Sequence, residues 1–193
     1  MMILQVMEKL IPEEPVRWCI VFLTLLFAAA FLAGLLTTNP ALQGITKTLV
    51  DMMKSPVEEM AGGSFFLLLL VNNVFVSLLL MFLGIFGGVI PLLLVGANGF
   101  VTGMVYRHIL ESSGAKHAAL DMIPQSVFGI PALLIVAAYG IWLGVGSIRR
   151  FRNKGEHTVR ELVSIALQRY VTLVFPLLIA AAATETLMML RGG

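Results

Sequence analysis

Between Glu59 and Arg107 the chain carries no Asp, Glu, Lys or Arg. That stretch is more than twice the ~20 residues that carry an α-helix across a bilayer's hydrocarbon core at 1.5 Å per residue. A single helix of that length would overshoot the membrane, so it reads as two spans. The break falls at GIFGGVIP, residues 84 to 91, where glycines and a proline suit a tight reversal. The expectation is a span over residues 64 to 85, another over 89 to 109, and a short connection that makes them antiparallel neighbours in a transmembrane hairpin.

The remaining chain follows the same logic. With 59% hydrophobic and 12% charged residues, it departs from soluble domains, which run roughly 45–50% apolar and about 25% charged. A first span is expected from Val16 to Thr38, anchored at the interface by Arg17 and Trp18 and closed by TTNP. Glu8, Glu13 and Glu14 make the leading segment acidic, and the apolar run exceeds a signal-peptide core, so it reads as a retained span. A fourth apolar region covers residues 122 to 146, and a fifth covers 164 to 190. Residues 1 to 15 and 41 to 61 read as amphipathic segments lying at the membrane surface. The expected fold is an all-α integral membrane protein with about five transmembrane helices. It forms one membrane domain over residues 1–193, in which an N-terminal portion, 1–62, precedes a four-span core, 64–190.

Lys and Arg in the short loops set the orientation. Lys9, Arg17, Arg149, Arg150, Arg152, Lys154 and Arg160 would lie inside, and Lys47, Lys54, Arg107, Lys116 and Arg191 outside. This reading makes a multi-pass protein of the cell membrane, with the N-terminus and the 148–160 loop in the cytoplasm. Its net charge of +2 is too small to argue for nucleic acid, and its single cysteine, Cys19, leaves no intramolecular disulfide or cysteine cluster.

Polar atoms inside the spans are the candidate functional groups. An unpaired amide in hydrocarbon costs several kcal/mol, so Asn72, Asn73, Asn98 and Gln125 must face protein or water. They read either as an interhelical clamp or as the lining of a solute path. Adjacent helical residues point about 100° apart, so Asn72 and Asn73 address different neighbours, one of which could belong to another subunit. Glu185 either reaches the interface or turns into the bundle beside the small residues Ala180 to Ala183, and Arg169 is expected to snorkel to the cytoplasmic face.

Pro124, Gly129 and Pro131 crowd the start of the fourth span, which is expected to be kinked, unwound or re-entrant. In GANGFVTG, Gly96, Gly99 and Gly103 have the spacing of close helix packing, and no preceding strand or following lysine supports a phosphate loop. His108, His117 and His157 fall in loops, and neither HExxH nor GxSxG occurs. These observations lead to the expectation of no catalytic residues, no metal and no cofactor.

The same residues, taken in order, resemble the stage II sporulation protein M family. Asn72 and Asn73, Gly84 with Pro91, Asn98 and Gly99, Pro124, Pro131 with Ala132, Gly140, and Ala181 and Ala182 followed by Glu185 follow that family's pattern over about residues 64 to 190. Where the family has His, Gly and Glu in the motif opening a span, this chain has Gln125, Ser126 and Gly129, so a metal or proton role does not carry over. The family's best-known member is a membrane scaffold for peptidoglycan-degrading partners during engulfment, but nothing in this sequence points to sporulation. A polar core built of amides rather than charges leads to the expectation of a non-enzymatic membrane scaffold that organises partners through a buried, converging Asn/Gln cluster and a basic cytoplasmic loop. The alternative is a small solute or ion transporter or channel component with its site at Asn72, Asn98 and Gln125. Small-residue faces at 28–34 and 180–183 add the expectation of a homo-oligomer, most simply a C2 dimer, within the bilayer.

Overall fold

A computed structural model describes residues 10–54, 62–152 and 158–192, apart from a few side chains within the helices. Helix α1 spans Glu14–Leu36, α2 Pro40–Lys54, α3 Gly62–Leu83, α4 Val89–Ser113 and α5 Ala115–Pro124. A π-helical segment, Gln125–Gly129, joins α5 to α6 (Ile130–Phe151); then come α7 (Val159–Arg169), a second π-helical segment, Tyr170–Val174, and α8 (Phe175–Gly192). The described residues contain no strand. Five stretches are long and apolar enough to cross a membrane: Glu14–Leu36, Gly62–Leu83, Val89–Ser113, Ser126–Phe151 and Val159–Met188. The protein is an all-α, multi-pass membrane protein.

Local chemistry explains where these helices begin. Glu13 is the N-cap of α1 and Pro15 sits in its first turn, where a missing N–H breaks no helical bond. In TTNP, Asn39 Oδ1 accepts from the Ala41 N–H at 3.0 Å, so the residues that stop α1 also start α2. A reciprocal capping box opens α7: Thr158 Oγ1 accepts from the Glu161 N–H, and Glu161 Oε2 accepts from the Thr158 N–H. The chain reverses between α3 and α4 at residues 84–88, where Gly87 and Gly88 take φ values of 77° and 76° that side chains disfavour.

Three expectations are corrected. His108 and His117 are not in loops: the polar stretch RHILESSGAKHAALD is helical, because α4 continues to Ser113 and α5 begins at Ala115, broken only by Gly114 at φ 85°. Its alanines, leucines and lysine are good helix formers, and hydropathy alone marks only where the membrane ends. The start of the fourth span is not unwound, since helix runs unbroken from Ala115 to Phe151 through the π-helical turn. That turn ends two residues before Pro131, and its wider bonding absorbs the N–H that proline lacks. Finally, α3 and α4 are antiparallel across their turn but are not each other's main neighbours: α4 packs chiefly on α1, and α3 on α6 and α8. Glycines on α4 and α6 draw those other helices closer than two leucine-rich faces could approach. Residues 55–61 of the expected surface helix, and residues 1–9 of the expected N-terminal one, lie outside the described residues.

Helix α6 is the central post. Half of its best span window is buried, against 17% for α1 and for α3. Val136, Ala137, Ala138, Tyr139, Gly140 and Leu143 are all buried along it. At one end of the bundle lie the first turn of α1 and the 84–88 turn, since Trp18 and Cys19 share a groove with Gly87, Gly88 and Ile141. The opposite end holds the last turn of α1, the end of α4 and α2, where Thr46 meets Met104.

Candidate functional site

The best-formed polar constellation joins three distant parts of the chain. Glu13, just ahead of α1, accepts a hydrogen bond from the Tyr139 hydroxyl at 2.8 Å through Oε2. Its other oxygen, Oε1, accepts from Arg169 Nε and Nη2, both at 3.3 Å. Tyr139 is fully buried, while the Glu13 and Arg169 side chains keep 15% and 26% of their surface. Charges withdrawn this far from water persist only when paired and hydrogen-bonded, and here both carboxylate oxygens are engaged. Arg169 therefore does not simply snorkel to the interface; it reaches a carboxylate that the N-terminal segment delivers beside it.

The next residue, Tyr170, begins the second π-helical segment, and its hydroxyl lies 2.7 Å from Ser77 Oγ on α3, with the Val74 carbonyl at 3.3 Å. Adjacent tyrosine and arginine thus tie one helix to α3 and to the start of α1. At the opposite end, Arg107 Nη1 donates to the Leu35 and Thr37 carbonyls, which close α1, while Nε donates to Glu111 at 2.7 Å. A cavity of about 70 Å³ opens there, lined in part by Gln43, Thr46, Arg107 and His108.

The described amides are not joined by hydrogen bonds. Asn72 is exposed on α3, while Asn73, Asn98 on α4 and Glu185 on α8 are half-buried. Among the described residues none of these four side chains makes a hydrogen bond. Helices α3 and α4 pack chiefly on other helices rather than on each other, in keeping with amides that are not paired across the hairpin. The side chains of Gln125 and Pro124 lie outside the described residues.

Glycines and prolines of the same sequence set occupy contacts instead. A Cβ on Gly99 would lie 2.7 Å from the Phe27 carbonyl oxygen, and one on Gly103 would meet the Phe31 carbonyl oxygen. Gly84 faces Gly140, and Gly144 faces Gly84 and Gly88, so α6 crosses the hairpin turn backbone against backbone. Pro91 is buried beside Gly140, and Gly129 and Pro131 are half-buried where the π-helical turn enters α6. Gly96, grouped with Gly99 and Gly103 by spacing, has nothing near its missing side chain.

Sequence reading missed Glu13, Tyr139, Ser77 and Tyr170. One signal was available: a buried tyrosine needs a partner for its hydroxyl, and Tyr139 sits in the middle of an apolar span whose own neighbours offer none. Chemically, the Glu13–Tyr139–Arg169 group is a clamp. Among the described residues no group of three His, Cys, Asp or Glu side chains is placed to hold a metal ion.

No curated protein and no solved structure matches the chain. The family model described as Stage II sporulation protein M matches residues 20–188. The match begins well before residue 64, so the first span and α2 share the family pattern with the four-span core. Nearly the whole described bundle, from α1 to α8, lies within that match, and the chain belongs to the Stage II sporulation protein M family.

Proposed function

We propose that the protein is a non-enzymatic membrane scaffold that assembles partners through its outward-facing amide and its basic end. The carrying observation is the dispersal of its polar span residues: Asn72 is exposed, and Asn73, Asn98 and Glu185 sit on three helices without a hydrogen bond among them. A solute site needs convergent polar groups, whereas a scaffold needs polar groups offered outward. At the other end of the argument stand Arg149, Arg150 and Arg152, all exposed where α6 ends, with Phe151 84% exposed among them. Lys and Arg so close to a span favour the cytoplasmic side of a cell membrane.

A second reading, a small transporter or channel component, draws support from the two π-helical segments and from the half-buried, unbonded amides elsewhere in the spans. One experiment addresses both. Purified protein in liposomes is assayed for flux of monovalent cations, protons and small anions, while a photo-cross-linker at Phe151 is activated in native membranes. The scaffold reading expects no flux above empty liposomes and discrete cross-linked protein partners. Flux that disappears in Asn98→Leu would replace it with the transport reading.

A further inference from the structure

We infer that the outward face of α3 is a self-association seam, in which Asn72 of two copies hydrogen-bond across a two-fold axis along the membrane normal. Asn72 lies at the midpoint of Gly62–Leu83, about 15 Å from either end at 1.5 Å per residue, the depth at which water is scarcest. It is exposed and unbonded within the chain, and lipid tails offer its amide neither donor nor acceptor.

The residues around it supply the rest of an interface. Leu68, Asn72, Phe75, Leu79 and Phe82 recur at alternating intervals of four and three, and every one is exposed. That is the heptad seam of a left-handed helix pair, with one polar position to fix register. Two copies inserted the same way present these faces in parallel, so a two-fold axis sets Asn72 opposite Asn72. An amide carries both a donor and an acceptor, which makes the pair self-complementary.

The alternative faces need no such partner. Beyond Glu14 in its first turn, the exposed residues of α1 are apolar except for Thr24, whose hydroxyl is closed on the Ile20 carbonyl at 2.8 Å, so lipid satisfies the membrane-facing part of that helix. Of the small-residue faces expected to carry a dimer, Ala30 and Gly34 pack against α4 and Ala181 and Ala182 are buried, while Ala28, Ala29 and Ala33 stay exposed but offer no polar group to a partner. The seam deepens the scaffold reading by making a second copy the partner of the outward-facing amide, and it leaves the basic end free for other proteins.

Full-length protein, with Cys19→Ala as background, is reconstituted in phosphatidylcholine vesicles over a range of protein-to-lipid ratios, and its mass state is read by single-molecule photobleaching. The wild-type surface should give dimers. Asn72→Leu should raise the dimer dissociation constant about 3- to 20-fold, the range of a transmembrane interhelical hydrogen bond. Under mild oxidation Phe75→Cys should form disulfide-linked dimers, and Leu25→Cys on α1 should not. Both positions are exposed, so neither change disturbs the bundle. A single chain at every ratio, unchanged affinity in Asn72→Leu, or cross-linking at Leu25→Cys as efficient as at Phe75→Cys would overturn the seam.

Discussion

Glu13, Tyr139 and Arg169 form a group whose three members can be removed singly with different consequences. Tyr139→Phe deletes one hydrogen bond to a charged acceptor, a change of about 1.5–3 kcal/mol, and leaves the ion pair in place. Arg169→Met removes the cation bonded to Glu13 among the described residues and strands a carboxylate with just 15% of its side chain exposed. Leaving a charge unpaired costs more than losing a neutral donor. The order of thermal midpoints in detergent should therefore be wild type, then Tyr139→Phe, then Arg169→Met. Glu13→Gln combined with Arg169→Met should recover part of the loss, because it removes both charges at once. Equal midpoints for all four proteins would mean that the group lies in water and carries no weight. Ser77 and Tyr170 extend this logic to α3, where Ser77→Ala leaves the Tyr170 hydroxyl the Val74 carbonyl as its remaining partner.

At the scale of elements, glycines with similar sequence surroundings have opposite roles, and the distinction is measurable. Gly144 lies against Gly84 and Gly88 backbone, whereas Gly96 faces open space on α4. Gly144→Ala should destabilise by about 1–3 kcal/mol, since α6 must move off the hairpin turn to admit a methyl group. Gly96→Ala should be neutral or slightly stabilising, because only helix propensity changes there. Thermal unfolding of the two variants in one detergent checks this, and a larger loss at Gly96 would contradict the crossing of α6 over the turn. The span boundaries were legible in the sequence to within a few residues, because bilayer thickness sets helix length and the glycines of GIFGGVIP allow only a turn. The close approach at Gly99 and Gly103 was legible in their spacing. The contact between Glu13 and Tyr139 was not, since they are separated by 126 residues and no local pattern links them. Nor was the continuity of helix through Pro131: a proline announces a missing N–H, but a π-helical turn that absorbs it leaves no mark in hydropathy.

For the whole molecule, the alternation of helix directions ties the sidedness of every loop to that of any one of them. Helices α1 and α4 run parallel, because Phe27 and Phe31 meet Gly99 and Gly103 in ascending order on both. Helix α6 runs against them, from the level of Phe31 and Tyr106 at Ile130 to that of Gly88 at Ile141. The start of α1, the 84–88 turn and the end of α6 therefore share one face of the membrane, and α2 and α5 share the other. The proposed orientation follows positive charge: Arg149, Arg150 and Arg152 stand together at the first face, and short basic loops favour the cytoplasmic side. In a Cys19→Ala background, Phe86→Cys and Phe151→Cys should react with a membrane-impermeant thiol reagent only when it is supplied from the cytoplasmic side. Gly44→Cys on α2 and Lys116→Cys on α5 should react only from the opposite side. Phe86 and Phe151 are 70% and 84% exposed and Gly44 has open space around it, so the labels themselves should not disturb packing. Reaction of all four from the reverse faces would keep the bundle and invert its orientation. Reaction of Phe86→Cys and Phe151→Cys from different faces would break the antiparallel pairing of α6 with α4, on which the fold depends.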